Sequence, residues 1–264
     1  MSWLAVPRGW VESFGDIARF TAQTFREVYG GRVFRFFGEA LRQSGLLILS
    51  STIVIWGLVF IIGLQCGIEG AYFTRAAGTP AYSGVFSAWC DLRELVPYAF
   101  GYMMSAKIGT GIVAELGSMR ISDEIDALEV MGIDSVLFLC ATRLLAAWMV
   151  LPFMYIAAVG AGFFASYLAV VQQIGEVSSG GFFLIFWMFQ NPPDLLYSVI
   201  KGMFMATAIV LVGCYYGYNA SGGPVGVGTA TAKSMVLNIV LVHLIGMLGT
   251  QLFWGANPRA PIGG

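Results

Sequence analysis

Long uncharged runs alternate with short polar stretches along this 264-residue chain. A helix needs about 20 mostly apolar residues to cross roughly 30 Å of hydrocarbon, and five segments meet that requirement. Gly45 to Leu64 holds no ionisable side chain, and Leu95 to Ala114 holds one, Lys107. Nothing from Leu144 to Gly175 is charged, and Pro152 within it is placed to kink or tilt the helix. The fourth segment carries Lys201 near its start and the fifth carries the lone His243 near its middle. The pattern predicts an all-α, polytopic integral membrane protein with spans at about 45–64, 95–114, 144–172, 195–216 and 234–254.

Ahead of the first span, residues 9–29 put Trp10, Phe14, Ile17, Thr21, Phe25 and Val28 along one helical side, with Glu12, Asp16, Arg19, Gln23 and Arg26 toward the other. That moment suits a helix lying in the membrane interface. Gly30-Gly31 breaks it, and a shorter amphipathic stretch (Val33, Phe36, Phe37, Ala40, Leu41) leads into the membrane. Residues 1–44 therefore read as an interfacial N-terminal part and 45–264 as the membrane domain. Charges at Arg8, Glu12, Asp16 and Arg19 interrupt the apolar core that a cleavable signal requires, so the segment is expected to be retained.

Composition agrees with the pattern. Hydrophobic residues make up 58% and charged residues 11%, with a mean hydropathy of +0.77; a soluble domain carries about 25% charge. The net charge of -1 supplies no basic field for nucleic acid, and the partner implied is lipid. Orientation follows the cations. With the N-terminus in the cytoplasm, Arg8, Arg19, Arg26, Arg32, Arg35, Arg42, Lys107, Arg120, Arg143 and Lys233 fall on that side, against Arg75, Arg93, Lys201 and Arg259 at or beyond the outer face. An odd number of spans then leaves the C-terminus outside.

The most polar stretch, Ala114 to Asp134, sets Glu115, Asp123, Glu124, Asp126, Glu129 and Asp134 against the single Arg120. Leu116, Ile121, Ile125, Leu128 and Met131 recur at helical spacing, so about 115–132 reads as an amphipathic cytoplasmic helix ended by Gly132, with a solvated loop as the alternative. The acids do not follow a Ca²⁺-loop spacing, no His lies nearby, and no metal or cofactor is expected.

The run Asp123-Glu124-Ile125-Asp126-Ala127-Leu128-Glu129 resembles the E-E-x-D-A-L signature of the MlaE/YrbE family, the permease subunits of MCE-type lipid ABC transporters. Arg93-Glu94-Leu95-Val96-Pro97 is similar to that family's R-E-L-G-P at the head of span two, and Lys107-Ile108-Gly109 to its basic-x-Gly step. Asp194-Leu195-Leu196 with Lys201-Gly202 resembles its D-x-L…K-S, and Gly217 to Thr231 follows its glycine-rich loop before span five. The resemblance covers about residues 45–254. The departures point toward the actinobacterial YrbE group.

That resemblance implies an inner-membrane permease moving lipid or fatty acid, with Glu115, Asp123, Glu124, Asp126, Ala127, Leu128 and Glu129 on a coupling helix that docks on a cytoplasmic ATPase dimer. ATP would be used by that partner. A second permease subunit, identical or paralogous, and extracytoplasmic MCE-domain proteins are also implied. Arg93, Glu94, Lys201 and His243 would line the outward mouth of the lipid cavity, where a cation can meet a headgroup; His243 stands where MlaE-like members commonly have a carboxylate to pair with Lys201. Without the resemblance, Arg93 and Glu94 read as caps in the headgroups, Lys201 as a snorkelling side chain and His243 as packing. Phospholipid, fatty acid, mycolic acid and sterol all fit a greasy cavity.

Other features are open to two readings or exclude function classes. The glycine-rich loop lacks the Lys and preceding strand of a phosphate cradle, leaving a tight turn or an ATPase contact. The Asn219-Ala220-Ser221 sequon sits on the expected cytoplasmic side. Ala106, Thr110, Ala114 and Ser118, with Gly213 and Gly217, have the spacing of close helix packing in lipid. Met103, Met104, Phe182, Phe183, Phe186, Trp187 and Phe189 read as lipid-facing or core filler. Cys66 and Cys90 bracket the first outer loop, where a disulfide persists if formed, while Cys140 and Cys214 fall in or beside spans. A membrane enzyme or scaffold acting on lipids is the alternative class. With one His, and neither H-E-x-x-H nor G-x-S-x-G, a metallohydrolase or Ser-His hydrolase cannot be assembled, and no internal repeat marks a secondary transporter.

Overall fold

The computed structural model describes residues 5–256, with side chains from Gly15 onward. Arg259 lies outside the described residues, as do the side chains of Arg8, Trp10, Glu12 and Phe14. The described residues contain helices and turns and no strand, as a chain that must satisfy every backbone group inside lipid requires. The order is α1 (Ala5–Tyr29), α2 (Phe37–Ala76), α3 (Ser83–Phe86), α4 (Val96–Met103), α5 (Thr110–Ile121), α6 (Glu124–Val130), α7 (Thr142–Tyr167), α8 (Ser179–Met188), α9 (Pro192–Tyr218) and α10 (Gly223–Trp254).

Four helical stretches are long and apolar enough to cross a membrane: Arg32–Ala76, Leu137–Ile174, Pro192–Tyr218 and Gly223–Trp254. The predicted second span takes another form. It lies in a helical run from α3 to α5 in which π-helical turns, Ser87–Leu95 and Met104–Gly109, flank α4. Pro97, Tyr98, Tyr102, Ser105 and Lys107 dilute its apolar character. Pi-helical turns are rare and concentrate at functional positions; here the first of them carries Arg93 and Glu94.

The chain packs as two compact units. The first comprises the described residues up to Leu47 with Ala106–Met149 and Thr207–Asn238. Within it, α1 is docked on protein through Phe20, Thr24, Glu27 and Val28, while Asp16, Arg19, Gln23 and Arg26 remain exposed. The Phe20 ring meets Tyr215 and Tyr218 at 5.7 and 5.6 Å, and Trp148 donates to Thr207 at 2.9 Å beside Phe25 and Tyr29. Buried Glu27 is held by Arg32 at 2.7 Å. Helices α5 and α9 touch along Gly213 and Gly217, where a Cβ would stand 3.1 Å from the Gly109 carbonyl and 2.8 Å from Leu116. The stripe expected to pack, Ala106, Ala114 and Ser118, is instead exposed, because α5 uses the face carrying Ile112, Val113, Leu116 and Gly117.

The second unit comprises Ile48–Ser105, Val150–Ala206 and the described residues from Ile239 on. Here α2 and α7 approach backbone to backbone, with no room for a Cβ on Gly63 beside the Gly162 carbonyl. Trp56 donates to Met154 O at 3.1 Å and Ser166 to Gly63 O at 2.8 Å across the same contact. Fully buried Tyr155 bonds Ser198, whose hydroxyl donates to Leu92 O. Helix α8, which periodicity did not separate from its surroundings, is capped by Ser178 and packs Phe182, Phe186 and Phe189 against Ala71, Ala88 and Val170. Phe183 and Trp187 on its other side stay exposed. The aromatic run thus divides between core and surface.

Candidate functional site

The charged residues at the head of span two are paired within the protein. In the second unit Arg93 forms a 2.7 Å ion pair with Asp194, the side chains 9% and 1% exposed. The guanidinium lies 4.3 Å from the centre of the Trp89 ring, and Trp254 donates its indole N–H to the other Asp194 oxygen at 3.0 Å. Lys201, also fully buried, donates to Arg93 O at 2.8 Å, to Glu94 at 3.0 Å and to Thr250 at 2.6 Å. Thr250 in turn lies 2.6 Å from Glu94 Oε1. Two cations thus face two carboxylates, and the cluster is neutral.

Lys201 therefore does find an acid: it is Glu94, from the preceding helical run, rather than a residue at position 243. The expectation of cations open to an incoming headgroup is not what the geometry presents, because Arg93 and Lys201 point inward and Glu94, about a third exposed, reaches outward. His243 is exposed beside Tyr98 and Tyr102, with ring centroids 5.7 and 5.6 Å away. Its Nδ1 lies 2.8 Å from the Ile239 carbonyl. A carbonyl only accepts, so Nδ1 carries the proton, and a neutral ring then accepts from the Tyr102 hydroxyl at Nε2, 3.0 Å away. Asp194, Thr250, Tyr98, Tyr102, Trp89 and Trp254 were not singled out as site residues by the sequence. Asp194 carried a signal, a lone acid opening an apolar helix; the others did not.

The acidic segment forms a second candidate site, in the first unit. The single helix expected over 115–132 is divided: α5 runs to Ile121, Ser122 and Asp123 turn the chain, with Asp123 at φ 60°, and α6 follows from Glu124. Glu115 belongs to α5 and pairs with Arg143 at 2.7 Å, apart from the other acids. Arg120 reaches forward to Asp126 at 2.5 Å, and Ser122 donates to Glu124 at 2.9 Å. Glu129 accepts from Ser135 at 2.6 Å and from Tyr218 at 3.2 Å, which anchors the end of α6. Of α6 itself Ile125 is buried, while Asp123, Glu124, Asp126 and Ala127 are exposed and Leu128 half-buried. Val130 and Met131 are 89% and 66% exposed. Beside them a cleft of about 550 Å³ is lined by Phe20, Gln23, Glu129, Asp134, Ser135 and Tyr218.

The glycine-rich segment is a turn and then helix. Gly222 and Gly223 take φ of 86° and 68°, conformations open to glycine, and α10 begins at Gly223, so Val225 to Thr231 are its first turns. Cys66, Cys90, Cys140 and Cys214 are free thiols, all buried but Cys90, which is half-buried.

A family model described as Permease MlaE matches residues 40–252. A Rickettsia bellii protein named probable ABC transporter permease protein is 29% identical over 162 residues, 61% of this chain and 62% of its own. The chain thus covers less than two thirds of that relative's length. The Haemophilus influenzae intermembrane phospholipid transport system permease protein MlaE is 25% identical over 222 residues, 82% of this chain and 83% of its own. TRIGALACTOSYLDIACYLGLYCEROL 1, a chloroplastic protein of Arabidopsis thaliana, is 27% identical over 217 residues, 82% of this chain and 59% of its own.

Proposed function

The chain belongs to the MlaE permease family, and from that premise we propose that it is the membrane permease subunit of an ABC transporter moving lipid or fatty acid through the inner membrane, driven by a separate ATPase. The observation that carries the coupling assignment is α6. A seven-residue helix with one buried side chain is held in place at both ends, yet exposes an acidic rim and the apolar Val130 and Met131. Exposed carboxylates exclude burial in lipid, and exposed apolar groups beside them suit a protein partner with basic and apolar ground. On this reading α6 is cytoplasmic, the N-terminus lies on that side, and Arg93, Glu94, Lys201 and His243 mark the opposite, outward end.

The helices leave large apolar faces outside the fold. Buried residues make up 17% of the most apolar window of α2 and of α10, against 56% for the stretch containing α7. Lipid and a second permease copy or paralogue would share those faces, and MCE-domain proteins would stand above them.

Purification from native membranes tests the reading. The wild-type chain should bring an ATPase subunit with it, and Glu124→Lys or Asp126→Arg should release it while the permease still elutes as folded protein. An unchanged complex with unimpaired lipid transport in both variants overturns the coupling role. Mass spectrometry of the co-purified lipid identifies the class carried.

A further inference from the structure

The Cys66 and Cys90 pair is not used by the proposed transport function, and its surroundings are specific. Gly70, without a side chain, lets Phe86 lie directly on α2. Cys66 Sγ then comes within 3.8 Å of the Phe86 carbonyl, and Cys90 lies one turn on from Phe86 in the same helical run, on the side of α2 that bears Cys66. Cys66 is 3% exposed, whereas Cys90 is half-buried. Asp91, 0% exposed and next to Cys90 in the chain, has one carboxylate oxygen on the Ser166 hydroxyl, which also bonds Gly63 O on α2, and the other, Oδ1, without a hydrogen-bond partner.

We propose that these residues form a thiol–disulfide exchange site, with Cys90 as the entry thiol, Cys66 as the resolving thiol and Asp91 as acceptor of the Cys66 proton. The co-reactant is an organic disulfide, RS–SR. The Cys90 thiolate attacks one of its sulfurs, the S–S bond breaks, and RS⁻ leaves a mixed disulfide on Cys90. Cys66 gives its proton to Asp91, attacks Cys90 Sγ and expels the second RS⁻. Two protein thiols are oxidised by two electrons, one disulfide is reduced to two thiols, and those thiols carry off both protons. Exposure fixes the order, because a bulky disulfide can reach Cys90 and not Cys66. The bond ties α2 to the π-helical turn that carries Arg93 and Glu94, so it clasps the outward end of the permease; the chemistry itself does not depend on the transport reading.

The test uses the full chain in detergent, exposed to oxidised glutathione, then denatured and labelled with a maleimide polymer. Four adducts are expected from reduced protein and two after oxidation, restored to four by dithiothreitol; fully buried Cys140 and Cys214 remain reduced as the internal reference. In Cys66→Ser, mass spectrometry should find glutathione on Cys90, while Cys90→Ser leaves Cys66 unmodified over the same time. Asp91→Asn should slow the second step roughly tenfold or more, so that the mixed disulfide accumulates on Cys90. Four adducts after oxidation overturn the site, a glutathione adduct on Cys66 in Cys90→Ser overturns the order, and an unchanged rate in Asp91→Asn overturns the role of Asp91. Loss of ATPase capture by α6 variants reports on the transport reading separately.

Discussion

At the scale of single residues, Arg93 and Asp194 show how burial alters the meaning of a charge. Taking both from water costs several kcal/mol each, which their pairing and the indole donor of Trp254 offset. Removing one partner is therefore worse than removing both. Arg93→Met or Asp194→Leu alone should destabilise by about 3–5 kcal/mol, since each strands a buried charge, whereas the double variant should recover most of that loss. Thermal unfolding in detergent measures it, and additive losses in the double variant would show that the pair does not act as a unit. Lys201 is held in the same way by Glu94, Thr250 and a carbonyl. A lysine so saturated is a structural clasp first, and the groups this cluster leaves open to the outside are Glu94, about a third exposed, and the Tyr102–His243 pair.

At the scale of elements, close approach decides which helices touch. Inside lipid there is little hydrophobic drive between helices, so backbone contact through small residues supplies the packing. Gly63→Val places side-chain atoms where the Gly162 carbonyl already lies and should push α2 from α7, lowering stability by about 1–3 kcal/mol or more. Gly57→Val on the same helix, where a Cβ meets nothing within 4 Å, is the control and should leave the melting temperature within a degree or so. Equal effects from the two would remove the packing argument. Helix α6 is the opposite case: it is fixed by Glu129, Ser135 and Tyr218 at one end and by Arg120 and Asp126 at the other, and its body contributes one side chain to the core. Such an element is held at its ends and leaves most of its surface exposed.

At the scale of the whole molecule, topology is the quantity to test. With the native cysteines replaced by serine, Ala77→Cys and Ala127→Cys place single exposed thiols in the first loop and on α6. In right-side-out vesicles a membrane-impermeant maleimide should label position 77 and reach position 127 after permeabilisation. Labelling of position 127 from outside, before permeabilisation, overturns the N-in orientation.

Hydropathy and charge along the chain determined the class of the molecule: apolar runs longer than a bilayer needs, an amphipathic start, and an acidic stretch that lipid cannot accept. The order Asp123 to Glu129 made the family legible as well. These are local properties, readable at spacings of one to four residues. Which cation meets which acid was decided by tertiary structure, because Arg93 and Asp194 are 101 residues apart and Lys201 and Glu94 are 107 apart. The same holds for the break at Asp123 that separates Glu115 from α6, for α8 as an element of its own, and for the face of α5 that packs on α9. Periodicity tells that a side of a helix is special; only the neighbouring helix, brought in by the fold, decides whether that side meets protein, lipid or a partner.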